Sequence, residues 1–568
     1  MSYLDKPWLK SYKLGPYKLE HSLEPFPEEP LSSALDKAAQ TYKNKTAVLF
    51  MGRKITYPQL KIFADSLANA LDKLGVEKGD KVCVFLPNCP EAVIADWGIV
   101  KAGAAVIPTS ILRTDDGLVH EAGSGDAKVL ICREEQLNRV LKLKDRCRFT
   151  SVIVTSTEGF DQAAVKTPLL DGVFEFRQLL DENDPEPPDI DISPREDLCE
   201  LAFTGGATGV PKGVMVTHYN RLCCIRQGFP WMMKPLLKGI KGKSSVLVSV
   251  PLFHSYGRYM SQSAAFLGLR LILVPDPRDI DYIVEVIKEY RPFMISAVPT
   301  QFMRIARKKV GRLNAIPMSG AAPLPKDVAD AIKEELGNPV SEGYGLTETS
   351  PLSHFNLSGF AKITGFMASE KPGLGVPAPD TECKLIDQAT GQEVPFGEPG
   401  EILVRGPQVM KGYWPKEGSG LTEEGWLHTG DIAFMDEDGY FHMTDRTKDM
   451  VNVSGNKVYT TQVDEVIFRH PAVFMAASFG IPDPDNPGSE RVAAVIKLEE
   501  DYQGTVSEND IREYCREHLA PYAVPKYVEF RNELPMTVTE KLFKKELRDD
   551  FISKITEETK KLNKRRNS

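Results

Sequence analysis

The residues best suited to chemistry in this sequence fall in one loop, Phe203-Thr-Gly-Gly-Ala-Thr-Gly-Val-Pro-Lys-Gly213. Gly205, Gly206, Gly209 and Gly213 let its backbone curl until several N–H groups face one point. Such a nest, with the Thr204 and Thr208 hydroxyls and the Lys212 ammonium, suits a polyphosphate. The Walker pattern is excluded because Pro211 rather than glycine precedes Lys212, and the GxGxxG spacing is absent. A Gly/Thr/Lys loop after an apolar run can also be a plain turn. Other candidates lie downstream: His254 among aromatic residues, Glu348 after a Gly-Tyr-Gly, Asp431 after Trp426-Leu-His-Thr-Gly, and Lys541 near the C-terminus. Each also has an ordinary reading, as a structural histidine, an exposed acidic loop, a turn aspartate and a surface lysine.

A phosphate loop needs rigid elements on either side. Leu198–Phe203 reads as a strand leading into it, and the acidic, proline-rich stretch Asp181–Asp197 reads as a solvated connector. Upstream, Leu31–Leu74 reads as helical, with a strand-like break at Lys54–Tyr57. Lys81–Leu86 then reads as a buried strand, Val93–Ala102 as a helix and Ala105–Pro108 as a strand, followed by apolar runs at Val129–Ile131 and Val152–Thr155. Downstream, Ser245–Val250, Leu271–Val274 and Met294–Ala297 read as strands, with a helix at Ile280–Tyr290. This alternation predicts stacked α/β units with parallel strands. Beyond Gly373, Glu382–Ile386, Gly400–Val404 and Gly439–Met443 read as antiparallel strands, and the final stretch as a small α+β module. The expected fold is α/β: a large N-terminal domain of stacked α/β subdomains with a small β-barrel-like part, then a small mobile α+β domain.

The chain has 568 residues and a net charge of -9, which calls for several domains and argues against a nucleic-acid partner. The first residues lack the apolar core of a secretory signal, and no apolar run is long enough for a transmembrane helix. The nine cysteines include no CxxC pair, which fits reduced thiols and a cytoplasmic location. The basic end, Lys-Lys-Leu-Asn-Lys-Arg-Arg-Asn-Ser, reads as a solvated tail with at most peripheral membrane contact.

Taken in series, these motifs resemble the adenylate-forming superfamily, which includes acyl-CoA synthetases, luciferases and peptide-synthetase adenylation domains. The first loop is similar to TSGTTGxPKG, with Gly205 for the usual Ser and Ala207 for the usual Thr. The first of these departures looks like the fatty-acyl-CoA ligase branch. The resemblance implies that Lys212 and the backbone and hydroxyls of Thr204, Gly205, Gly206, Ala207, Thr208 and Gly209 take the ATP phosphates. Gly320, Ala321 and Ala322 of Ser319–Pro323 line the acyl pocket and approach adenine. In Ser341-Glu-Gly-Tyr-Gly-Leu-Thr-Glu348, Tyr344 lies flat against adenine between Gly343 and Gly345. Thr347 meets the α-phosphate and Glu348 holds Mg²⁺. Glu342 stands where many relatives carry Gln.

The same resemblance makes His254, Ser255, Tyr256, Arg258 and Gly320 the substrate pocket. Some long-chain members place a gating Trp where this chain has Arg258. Asp431 takes the ribose hydroxyls, and Arg446 contacts ribose or phosphate. Lys448 is the hinge, within 445–448, between an adenylation domain at 1–444 and a lid domain at 449–568. Ser454, Gly455 and Asn456 approach CoA, and Lys541 is the catalytic lysine, with Glu540 where Gly is usual. The expected activity is that of an AMP-forming acid:CoA ligase acting on a medium- or long-chain fatty acid, using ATP, Mg²⁺ and CoA. An aromatic or alicyclic acid, or a carrier-protein thiol as acceptor, stays open, as does a non-catalytic nucleotide sensor. Self-association into a homo-oligomer is compatible with the sequence.

Overall fold

The structure is a computed structural model that describes residues 2–566, except 160, 162, 205–210, 323, 358–359, 361–370, 372, 455, 485, 487 and 537–541. It divides into two compact units. One comprises Met1–Lys384, Leu403–His428 and Glu437–Phe441, and the other Leu385–Ile402, Thr429–Asp436 and His442–Ser568.

The first unit is built on two nine-stranded sheets. In one, Lys81–Phe85 runs parallel to Ala105–Pro108 on one side and to Ala127–Arg133 on the other. Leu198–Thr204 joins parallel to Ala105–Pro108, and Lys212–Thr217 returns antiparallel beside it. The other sheet has a parallel centre containing Ser245–Val248, Met294–Ala297, Ile316–Ser319 and Ser341–Tyr344. The strands Ala105–Pro108, Ser245–Val248 and Met294–Ala297 are buried along their whole length. Unbroken apolar runs are what parallel strands covered on both faces require.

Between Leu31 and Leu74 the structure differs from the expectation. The break in the helices is a full hairpin, Thr46–Phe50 with Arg53–Thr56, wider than the expected Lys54–Tyr57. Ala47–Phe50 are all buried, and Thr46–Phe50 pairs in parallel with Arg270–Leu273. A short apolar run has no periodicity of its own, so a long-range partner decided its state.

The β-barrel-like part expected after Gly373 is corrected to an open sheet. Its four strands are ordered Glu382–Ile386, Gly400–Arg405, Leu427–Met435 and Phe441–Arg446, and the end strands do not pair with each other among the described residues. Closing so few short strands would demand a tilt and stagger that they cannot supply. The second unit packs a three-stranded sheet, Val473–Pro482, Glu490–Leu498 and Tyr527–Phe530, against the helices Thr460–Phe468 and Glu508–His518, with Val463, Ile467, Ile511 and Cys515 in its core. No helix among the described residues is long and apolar enough to cross a membrane.

Candidate active site

The strand Leu198–Thr204 carries Thr204 to its end, and the return strand begins at Lys212 directly opposite, with Thr204 paired to Lys212. The described ends of the candidate phosphate loop therefore meet. Gly205, Gly206, Ala207, Thr208 and Gly209 lie outside the described residues. Gly213 closes the turn tightly: a Cβ there would stand 3.0 Å from the Leu201 side chain and 3.3 Å from Phe203 and Trp414. The His120 ring supports the loop with Nε2 2.8 Å from the Pro211 carbonyl, and its edge lies on Phe203.

Lys212 is exposed, and its ammonium sits 5.0 Å from the centre of the Tyr413 ring. The Tyr413 hydroxyl donates to Glu348 Oε1 at 2.8 Å. Glu348 lies on the short helical turn Thr347–Thr349, whose backbone is held by the Met410 N–H donating to the Glu348 carbonyl at 2.8 Å. Thr347 Oγ1 is 3.3 Å from Ser255 Oγ. Lys212, Glu348, Thr347 and Ser255, named separately from sequence, are thus linked as one row, with Tyr413 between the first two.

The second sheet supplies the neighbouring floor. Ile316–Ser319 and Ser341–Tyr344 end side by side, with Ser319 paired to Glu342. Gly320 lies close to Tyr256 and Gly343, since its added Cβ would be 3.5 Å from the ring and from the Gly343 carbonyl. The Tyr256 hydroxyl donates to the Met318 carbonyl at 3.1 Å. Ala321 takes a left-handed φ of 72°, a strained setting for a residue with a Cβ, and Ala322 beside it is half-buried. A Cβ on Gly345 would strike the Pro351 carbonyl at 2.0 Å, which fixes glycine there. Tyr344 is buried with its edge toward His354. Burial pushes the Glu342 carboxyl up to about 7, although the Leu324 and Gly373 N–H groups oppose the shift.

His254 accepts from the Tyr256 N–H and so caps the helix Ser255–Leu267. Residues three and four apart share a helix face, so Arg258 and Gln262 follow Ser255 along one side. Arg258 is buried in an ion cluster. It pairs with Asp96, and Nη1 is 2.8 Å from Glu200 Oε2. Glu200 also pairs with Arg221, which donates to the Ser350 carbonyl at 2.7 Å, while Gln262 donates to Asp96 at 2.9 Å. Burial works against the Arg258 charge, but Asp96 and Glu200 outweigh it and hold the guanidinium charged. Beside this cluster is a cavity of about 20 Å³ lined by Leu86, Val93, Val106, Leu252, Asp96 and Arg258. That volume suits a single water, with an apolar wall and one charged end.

In the second unit, Asp431 is buried, and Oδ1 lies 3.3 Å from Arg446 Nε. Asp431 sits inside the strand Leu427–Met435, so its ordinary reading as a turn aspartate does not hold. Lys448 is exposed on a turn held by the Asp449 N–H donating to the Arg446 carbonyl. Ser454 adopts φ 51° at the tip of the hairpin Val451–Val453 with Asn456–Val458 and accepts from Asn486. Asn456 is exposed and donates to the Val453 carbonyl. Gly455 and Lys541 lie outside the described residues. Three positions after Lys541, Lys544 pairs with Asp464 at 2.8 Å and donates to Thr460, anchoring the last helix.

No cluster of three metal-ligating side chains occurs among the described residues. Glu348 fits Mg²⁺ in another way, because that ion is commonly held by one or two carboxylates with substrate phosphates completing its shell. Sequence reading missed Tyr413, His120, Asp96, Glu200 and Arg221. None sits in a recognisable motif; each reaches the site through a distant strand or helix.

Thr204, Lys212 and Glu348, gathered near strand ends through Tyr413, fit a nucleotide-binding α/β enzyme. The family described as AMP-binding enzyme matches residues 35–414, and its C-terminal domain matches residues 462–541. The chain belongs to this family of ATP-dependent, AMP-forming acyl-CoA ligases. It is 33% identical to the long-chain-fatty-acid–CoA ligase of Bacillus subtilis over 96% of this chain and 98% of that one. It is 31% identical to a feruloyl-CoA synthase of Amycolatopsis over 91% and 98%. An anthranilate CoA ligase solved in complex with anthranoyl-AMP superposes with a TM-score of 0.80 at 26% identity, covering 92% of this chain and 98% of that one.

Proposed function

We propose that the chain joins a medium- or long-chain fatty acid to CoA through an acyl-adenylate. The observation that carries the choice of acid is the full-length similarity to a ligase named for long-chain fatty acids. A carboxylate is a poor acyl donor because oxide would have to leave. In the first half-reaction its oxygen attacks the α-phosphorus of ATP, the bond to the β-phosphate oxygen breaks, and pyrophosphate departs. In the second, the CoA thiolate attacks the acyl carbon, and AMP leaves.

The residues divide the work as follows. Thr204, the loop of 205–209 and Lys212 hold the phosphates, with Thr347 at the α-phosphate. Glu348 holds Mg²⁺, which supplies charge neutralisation along the phosphates. Tyr344, with Gly343, Gly345 and Gly320–Ala322, takes adenine, and Asp431 with Arg446 takes ribose. His254, Ser255, Tyr256 and Arg258 border the acid. Lys541 binds the phosphoryl oxygens while adenylate forms. The domain from 449 onward then turns about the hinge at 445–448, with Lys448 at its centre, to bring Ser454, Gly455 and Asn456 to the CoA arm. The cytoplasm is the proposed location, supported by nine buried cysteines outside any disulfide.

A second reading, an aromatic acid, rests on the near full-length similarity to a ligase named for ferulate. AMP release across a panel of butyrate, octanoate, palmitate, benzoate and ferulate, with ATP, Mg²⁺ and CoA, tests both. Palmitate turning over fastest supports the first reading, and ferulate or benzoate turning over fastest replaces it. A panel in which no acid yields AMP overturns the activity.

A further inference from the structure

We propose that Tyr413 is the positioning residue of the phosphate end, setting the Glu348 carboxylate and the Lys212 ammonium at their mutual distance through its hydroxyl and its ring. The inference rests on the reading above that Glu348 serves Mg²⁺ and Lys212 the phosphates.

Tyr413 is firmly placed. It lies in a two-strand hairpin, Gly412–Tyr413 with Lys416–Glu417, added to the edge of the first sheet. Tyr413 pairs with Val214, two residues after Lys212, so the ring arrives beside the lysine through backbone register. The hairpin is fastened on both flanks. The Lys411 N–H donates to the Met215 carbonyl at 2.9 Å and the Trp414 N–H to the Gly213 carbonyl at 2.7 Å. Ser419 Oγ accepts the Tyr413 N–H at 3.0 Å and donates to the Tyr413 carbonyl at 2.9 Å. The ring packs over Gly420, where a Cβ would stand 2.3 Å from it, so only glycine leaves the ring its place. Met410, just upstream, holds the Glu348 backbone, so the same segment grips Glu348 by main chain and side chain.

The chemistry of the two contacts suits the task. A carboxylate offers about four acceptor positions, and the phenol fills one while fixing the plane of the group. A phenol ordinarily ionises at about pH 10, so it is a hydrogen-bond donor at physiological pH. The ring face attracts the Lys212 ammonium without neutralising it. A carboxylate partner in that place would cancel the charge the phosphates need. Tyrosine supplies a donor to the anion and a π face to the cation from one rigid side chain.

Tyr413→Phe keeps the ring and removes the hydroxyl, and Tyr413→Leu removes both. Calorimetric titration with MgATP, and with ATP in excess EDTA, is read beside the Mg²⁺ dependence of pyrophosphate release. Tyr413→Phe is expected to weaken MgATP binding and raise the half-saturating Mg²⁺ by roughly tenfold, the worth of a hydrogen bond to a charged group. It should leave metal-free ATP binding and the thermal midpoint unchanged, whereas Tyr413→Leu also weakens metal-free ATP binding. Unaltered MgATP affinity in Tyr413→Phe overturns the proposal. So does equal weakening of both titrations with a lowered thermal midpoint, which marks a merely structural tyrosine. If the wild-type chain binds MgATP yet releases no pyrophosphate with any acid, the proposed function fails while the Tyr413 result still stands. A wild-type chain that binds no MgATP overturns both.

Discussion

Lys212 and Glu348 reach solvent at the phosphate end and are held by a neutral tyrosine, whereas Arg258, Asp96, Glu200 and Arg221 are withdrawn from water and matched against one another. The two groups are not far apart in sequence, since Glu200 and Thr204 share one strand and Ser255 and Arg258 one helix turn. The difference lies in what each end has to meet. Under the proposed function the first pair meets a polyanion, and the tyrosine orients it without adding charge. Charges beside an apolar cavity are balanced internally, because a lone buried ion is costly and would repel an apolar substrate.

Breaking the buried group should have the largest effect. Asp96→Ala leaves two arginines against one carboxylate, and denaturant titration is expected to show a loss of about 3–5 kcal/mol. The paired variant Asp96→Leu with Arg258→Leu removes one charge of each sign and should recover most of that loss. Were the double variant no more stable than the single one, the cluster would not be held by charge balance.

Next in size, Glu348→Gln should slow pyrophosphate release by about 10²–10³-fold with little change in the unfolding midpoint, since glutamine can still accept from the Tyr413 hydroxyl. A large drop in stability would make the phosphate end as structural as the acid end. Lys541→Ala should give a similar loss in adenylate formation while sparing thioester formation from supplied acyl-AMP. Equal loss of both half-reactions removes Lys541 from its assigned step.

The smallest effect concerns Glu342, whose carboxyl is raised by burial to about 7. A raised folded pKa means the group favours folding fully below its unfolded pKa, near 4.3, and that this contribution is lost as pH rises toward 7. Glu342→Gln should therefore be more stable than the wild type at pH 8, by on the order of 1 kcal/mol for a partly exposed group, with the difference fading toward pH 4. A constant difference across that range rules out titration as its cause.

Much of this was legible because the motifs are local. Thr204 to Lys212 and Ser341 to Glu348 are runs of consecutive residues at strand ends, and consecutive spacing survives in a sequence. The buried partners were not legible. Asp96 on the helix Pro90–Lys101 looks like any polar residue in an apolar helix until Arg258 is placed opposite it. The strand Leu427–Met435 hid behind its glycine, and the hairpin strand Thr46–Phe50 behind a run too short for periodicity.

By itself, the sequence determined the α/β class, the order of the motifs and the adenylating chemistry, because residue type and spacing set which backbone groups and side chains fall on one turn. Only the tertiary structure decided that Tyr413 stands between Lys212 and Glu348, and that Arg258 is balanced by Asp96 and Glu200. Those contacts depend on sheet register and helix packing, which join residues tens to hundreds of positions apart and leave no periodic trace along the chain.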